Sequence, residues 1–163
     1  MKKEEKICKT LDEIGVLYKR FDHEPLYTVD AAKEIDEKIG VKICKNLFLS
    51  TNHGQDFYLL TMVGDKKFNT GKVSKQLGVP RLTFASAEDM EKYLDITPGS
   101  VSPLGLLNDK NKKVNFIIDK DILVMEKISI HPCVNTSTLL IETRDLTDKV
   151  LPFCGHKHTE VEV

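Results

Sequence analysis

The chain has no long apolar run. No stretch is long enough to span a bilayer, and the charged start Met1-Lys2-Lys3-Glu4-Glu5-Lys6 is not followed by the hydrophobic core of a signal peptide. A membrane partner is not expected. The four cysteines, Cys8, Cys44, Cys133 and Cys154, are widely spread and form no C-x-x-C pair. They read as reduced thiols of a cytoplasmic protein. Neither sign of charge dominates: 24 Lys and Arg stand against 25 Asp and Glu, for a net charge of −1. That excludes a global pull on polyanions, so any nucleic-acid contact must come from a local basic patch. G-x-S-x-G, the Walker loop and the dinucleotide-binding glycine pattern are missing. So are internal repeats, low-complexity segments and any linker that would divide the chain. What is there, 163 residues with 30% charged and 40% hydrophobic, is ordinary for one soluble domain over 1–163 with a real core.

The elements alternate between helical and strand patterns. Ile7, Leu11 and Ile14 form a helical stripe over 3–14, which Gly15 can close. Val16 to Phe21 reads as a strand, and His23-Glu24-Pro25 as a turn. Thr28 has the form of an N-cap for a short helix carrying Val29, Ala32 and Ile35, ended by Gly40. Leu47 to Ser50 and Phe57 to Val63 are strands joined at Asn52-His53-Gly54-Gln55. Leu82 to Phe84 reads as a short strand. Ser86-Ala87-Glu88-Asp89 starts a helix buried through Met90 and Leu94. Leu106-Leu107, Val114 to Ile118, Lys127 to His131 and Thr138 to Glu142 read as strands, with a hairpin turn at Asn108-Asp109-Lys110-Asn111. Asp119 to Met125 fits a short helix, Thr143 to Leu151 a last one, and the tail after His158 is expected to be loose.

Within this frame Lys45 stands out. Val41, Ile43, Lys45, Leu47 and Leu49 share one parity, so a strand here places an ammonium in an apolar row. Either Lys45 reaches water at the strand's start, or it faces a cleft that holds an anion. Asn46 has the opposite parity, and both serve one site only if the strand begins, twists or bulges there. Lys66-Lys67-Phe68-Asn69-Thr70-Gly71-Lys72-Val73-Ser74-Lys75 is the best candidate for a phosphate-facing patch, and a solvated loop and helix face explains it as well.

Two prolines and two glycines in Thr97-Pro98-Gly99-Ser100-Val101-Ser102-Pro103-Leu104-Gly105 force a special backbone path. Such a loop either turns N–H groups toward an oxygen anion or is a plain tight connection. His131, before Pro132, is a hydrogen-bond donor, a base or a structural histidine. Cys154, His156 and His158, with His131 and Cys133, crowd possible metal ligands, but their spacing matches no standard zinc pattern. Cys44 beside Lys45 is a candidate thiol nucleophile, weakened because strand neighbours point to opposite faces.

Pro25-Leu26-Tyr27-Thr28-Val29, Lys45-Asn46-Leu47-Phe48-Leu49, Gly99-Ser100-Val101-Ser102-Pro103 and His131-Pro132-Cys133-Val134-Asn135-Thr136 occur in the order seen in the YbaK/ProX family. The chain resembles those aminoacyl-tRNA deacylases, related to the editing domain of bacterial prolyl-tRNA synthetase, over almost its whole length. It looks most like the freestanding ProX (PrdX-type) branch. The resemblance implies an α+β fold, a central curved mixed, mostly antiparallel sheet flanked by helices. It implies hydrolysis of mischarged tRNA(Pro), foremost Ala-tRNA(Pro). Removal of cysteine, as in the YbaK branch, and a non-catalytic module binding tRNA or a synthetase stay open.

By this resemblance Lys45 holds the RNA's 3′ end and Asn46 fixes the ester or sugar. Gly99 to Pro103 (with Ser100, Val101 and Ser102) bind carbonyl or ribose through the backbone, and His131 lines the pocket. Tyr27, Leu47 and Val63 are placed as walls by position, and Thr28 joins them as a substrate contact. A ribose hydroxyl helps activate the water. No cofactor or metal is implied. The expected partners are the tRNA(Pro) acceptor end and prolyl-tRNA synthetase, with the protein itself a monomer. One methylene changes binding by only ~1–3 kcal/mol, so a synthetase needs a second, smaller sieve to reject alanine.

Overall fold

A computed structural model of the protein describes all residues except Tyr27, Thr28 and Ile43. The N-cap expected at Thr28 and the site contacts expected at Tyr27 and Thr28 therefore lie outside the described residues. Helix α1 (Lys3–Glu13) buries Ile7, Cys8 and Leu11, carries Glu4 and Glu5 in its first turn, where the helix dipole favours them, and gives way at Gly15 with φ +79°. Strand β1 (Tyr18–Asp22) and helix α2 (Val29–Ile39) follow. Strands β2 (Cys44–Thr51) and β3 (Asp56–Val63) form the expected hairpin, whose turn puts Asn52, His53 and Gly54 at positive φ. Asn and Gly tolerate that region best.

Helix α3 (Thr70–Leu77) is capped by Asn69, whose side chain accepts from the Lys72 N–H. Strand β4 is only Thr83–Phe84. Helix α4 (Ala87–Leu94) starts where Ser86 accepts from the Asp89 N–H. Then come β5 (Val114–Asp119), α5 (Lys120–Leu123), β6 (Lys127–Ile130), β7 (Ser137–Glu142), a helical run from Thr143 to Cys154 with a π segment over Leu146–Val150, and β8 (His158–Val161).

The expected mixed sheet is divided in two. A three-stranded antiparallel sheet has the order β1-β7-β6, and a five-stranded mixed sheet the order β4-β2-β3-β5-β8. In the larger sheet β2 pairs antiparallel with β3 and β4, whereas β3–β5 and β5–β8 are parallel. The division follows from hydrophobicity. One face of the larger sheet (Phe48, Phe57, Leu59, Phe116, Ile118) shares a core with Ile128, Ile130, Leu139 and Ile141 of the smaller sheet, with α1 and with α4. The other face (Leu49, Leu60, Met62, Ile117) packs on Val73, Leu82 and Val161, with Leu47 and Phe68 partly buried against it.

Three expectations are corrected. Leu106-Leu107 is not a strand: Pro103–Asn108 is a 3₁₀ helix with Pro103 in its first turn and Ser102 as its cap, and the caps won over two apolar residues. Asn108 to Asn111 is consequently no hairpin. The tail after His158 is not loose. It pairs as β8 with β5, with Val161 buried opposite Asp119. A polar sequence hid it because an edge strand needs only one buried side chain.

Candidate functional site

Four of the expected site residues meet. Asn46, Gly99, Val101 and His131 line one hollow of about 180 Å³, together with Cys44. It is smaller than the pockets that hold drug-sized ligands. Each wall comes from a different element: the start of β2, the loop after α4, and the residue that follows β6.

Asn46 lies opposite Thr61 of β3 and accepts the Thr61 hydroxyl on Oδ1 at 2.6 Å. Thr61 is fully buried. With Oδ1 occupied, the amide Nδ2 keeps two donors for a ligand. Thr61 escaped the sequence reading. Strand register links it to Asn46, and only the hairpin's exact turn sets that register.

Gly99 has φ +92°, and a Cβ there would meet only Asn135 Nδ2 at 3.8 Å. The backbone angle, rather than lack of room, asks for glycine. Gly105 is the converse, since its Cβ would fall 2.6 Å from Ile96 Cδ1. Ser100 N–H closes the bend on Thr97 O, and the Leu104 and Gly105 N–H groups go to the Ser102 hydroxyl and carbonyl. Among the described residues the N–H groups of Gly99 and Val101 meet no acceptor. Ser100, Ser102 and Pro103 are buried, and the Ser102 hydroxyl caps the 3₁₀ helix that follows.

His131 places Nδ1 2.9 Å from the Ser137 carbonyl. A carbonyl only accepts, so Nδ1 carries the proton, and in the neutral ring Nε2 is an acceptor. Burial, with the backbone bond opposing and His23 adding, pushes the imidazole below its ordinary pKa. Ser137 in turn donates its hydroxyl to Asp22, which also receives Arg20 at 2.8 Å. Cys133, two residues on, holds φ +63° while buried, and that strain re-aims the chain beyond His131. Asn135 also escaped the sequence reading as a site residue. Its amide spans both backbone groups of Leu26, each at 3.3 Å, and so ties the segment before α2 to the loop that follows His131.

Lys45 does not line this hollow. The β2–β3 register runs unbroken through Cys44–Val63, Lys45–Met62 and Asn46–Thr61, with no bulge to bring both side chains to one face. Lys45 lies on the face of Leu47 and Leu49, where its ammonium donates to the Lys66 carbonyl at 3.0 Å. Leu47 belongs to that second core. Val63 shares the face of Cys44 and packs on the first.

The lysine-rich stretch is partly neutralised within the chain. Lys66 pairs with the buried Asp119 at 3.0 Å and with Asp121 at 2.5 Å. Burial opposes its charge, and the two carboxylates outweigh it and raise its pKa. Lys72 reaches Glu162 at 4.0 Å. Desolvation pushes the Cys44 thiol up to about 12, which leaves no thiolate at neutral pH. His156 turns inward to Asp109 at 3.2 Å, and His158 lies exposed in β8. Among the described residues no three His, Cys, Asp or Glu side chains are grouped to hold a metal ion, and no helix is long and apolar enough to cross a membrane.

Residues 23–149 match the family described as the aminoacyl-tRNA editing domain. The chain is 32% identical over 157 residues to the prolyl-tRNA editing protein ProX of Acetoanaerobium sticklandii, covering 96% of this chain and 95% of that one. It is 37% identical over 86 residues to the proline–tRNA ligase of Limosilactobacillus fermentum, 51% of this chain but 15% of the ligase. A crystal structure proposed to be a trans-editing enzyme for prolyl tRNA synthetase shares the fold, with a TM-score of 0.75 at 19% identity, over 100% of this chain and 98% of that one.

Proposed function

The chain belongs to the aminoacyl-tRNA editing domain family, and from that premise we propose that it is a trans-acting deacylase of mischarged tRNA(Pro), with Ala-tRNA(Pro) as its substrate. The observation that carries this reading is the hollow itself. It combines the Asn46 amide, the N–H groups of Gly99 and Val101, which meet no acceptor among the described residues, and the neutral His131 in a space of about 180 Å³.

An aminoacyl ester is already reactive, so orientation and stabilisation of developing charge supply most of the acceleration. The aminoacyl group enters the hollow with its carbonyl oxygen toward Asn46 Nδ2 and the Val101 N–H. Water adds to the carbonyl carbon, and charge grows on that oxygen against donors fixed beforehand. The tetrahedral carbon then releases the ribose oxygen, which takes a proton to become the free terminal hydroxyl. Free alanine and intact tRNA(Pro) result. His131 Nε2 accepts a hydrogen bond from the substrate's ammonium or the water, and a neighbouring ribose hydroxyl assists the proton transfer.

Lys45 serves the same substrate from the other side of β2. Its ammonium leaves the Lys66 carbonyl to bind a phosphate of the 3′ end. The synthetase is a further proposed partner, since its own chain carries a related segment in the Limosilactobacillus ligase. The protein acts as a monomer in the cytoplasm. In this reading the walls of the hollow favour alanine over the proline ring by shape, which makes it the second sieve.

The test is a deacylation panel with alanyl-, cysteinyl-, seryl- and prolyl-tRNA. Hydrolysis of Ala-tRNA(Pro) well above Pro-tRNA(Pro) is expected. Binding without turnover on any of the four would leave a non-catalytic module instead, and preferred loss of cysteine would move the protein to the YbaK type.

A further inference from the structure

The second face of the larger sheet carries a groove that the hydrolytic site does not use. It encloses about 280 Å³ and is lined by Phe68, Thr70, Arg81, Leu82, Thr83 and Phe84. Phe84 is 69% exposed on the two-residue edge strand β4. Its ring meets that of Phe68 at 6.4 Å between centroids and 61° between planes, so the two form a corner with an open aromatic wall. Arg81 is exposed and, among the described residues, makes no ion pair. The lining holds one cation and no carboxylate, and the exposed Lys67 adjoins Phe68 in the chain.

We propose that this groove binds an unpaired nucleotide of the tRNA substrate, its base stacked on Phe84 and its phosphate held by Arg81. The proposal rests on the deacylase reading. Every base has a π face, so an open aromatic wall beside an exposed guanidinium suits single-stranded RNA without reading its sequence. An acidic or apolar peptide is served less well, because the corner is open to a flat ring and the free charge is positive.

The strand register supplies the path. Phe84 pairs with Leu49 of β2 and shares the face of Leu49, Leu47 and Lys45. Asn46, in the hollow, is three residues back along β2, roughly 10 Å. Strand β4 pairs only with Leu49 and Ser50, so among the described residues no strand pairs with the Lys45–Leu47 edge of β2 on that side. A 3′ end whose last nucleotide reaches the hollow crosses this edge past Lys45. A nucleotide a short way upstream then arrives at the groove. Lys45, Arg81 and Lys67 would form one phosphate track, which explains a cation kept on the face away from the hollow.

The test compares Phe84→Ala, Arg81→Ala and Phe84→Trp with wild type on two substrates: Ala-charged tRNA(Pro) and 2′(3′)-O-alanyl-adenosine, which lacks upstream nucleotides. Both residues are exposed, and thermal melts verify that the fold is kept. Either alanine variant is expected to raise KM for the charged tRNA about five- to twenty-fold with kcat within about twofold, to leave alanyl-adenosine hydrolysis unchanged, and to weaken binding of uncharged tRNA(Pro) by the same factor. Phe84→Trp should restore wild-type values. Unchanged tRNA binding in both alanine variants would overturn the proposal, also if they lost affinity for prolyl-tRNA synthetase, which would make the groove a protein contact. An equal loss on alanyl-adenosine would overturn it too. Wild-type protein that binds tRNA through Phe84 without hydrolysing any charged tRNA would refute the deacylase reading and leave the groove standing.

Discussion

The two faces of strand β2 carry different kinds of group. Toward the first core, Asn46 offers a neutral amide, oriented by a buried threonine and set beside a glycine bend and a histidine. Toward the second, Lys45 offers a full charge resting on a backbone carbonyl, in a row that leads to Phe84. A neutral, pre-oriented donor suits charge that appears only in a transition state. A cation suits a phosphate that is charged throughout. On this account one strand divides the work, with chemistry on one face and grip on the other.

That division can be broken by kinetics. Asn46→Ala removes a donor from the hollow and should lower kcat on Ala-tRNA(Pro) by about 10²–10³, the cost of one oxyanion donor, with KM little changed. Lys45→Ala should act mainly on KM, raising it about 10- to 100-fold, as expected for a charged hydrogen bond worth ~1.5–3 kcal/mol; a loss confined to kcat would place the ammonium in the chemistry. Thr61→Val keeps the shape and removes the hydroxyl that pins Asn46. A loss of about tenfold in kcat, rescued by Thr61→Ser, is expected from steady-state assays, whereas no change would mean that Asn46 needs no orientation.

The smallest effect is with pH. Burial lowers the His131 pKa, so the folded state favours the neutral ring. Its contribution to stability is present above the ordinary imidazole value of about 6.5 and is lost as pH falls from there through the lowered value. Activity should be flat above that range and decline below it. His131→Gln, which keeps a polar side chain and does not titrate, should flatten the acid limb of a pH–rate profile.

The comparison also shows what a sequence can carry. Local signals were legible: the Asn52–Gln55 turn, the Ser86 cap and the Gly99 bend each act over three or four residues, and each lies where expected. The meeting of Asn46, Gly99 and His131 came from the resemblance, because no local rule joins residues from three separate elements. The parity of Lys45 and Asn46 was legible as well, and the unbroken register keeps them apart. An account that needs Lys45 and Gly99 in one hollow therefore finds no support in this geometry. Thr61 and Asn135 were illegible for a common reason: each acts through a partner distant in sequence, 15 residues away for Thr61 and 109 for Asn135. In the lysine stretch the pairing of Lys66 was illegible for the same reason, since Asp119 and Asp121 come from another strand end.

The most direct measurement is a crystal structure of the protein with 3′-alanylamido-3′-deoxyadenosine, whose amide replaces the scissile ester. The account predicts the alanyl group in the hollow, with its carbonyl oxygen within hydrogen-bond distance of Asn46 Nδ2 and the Val101 N–H. An alanyl group bound on the Lys45 face, with the hollow vacant, would contradict it.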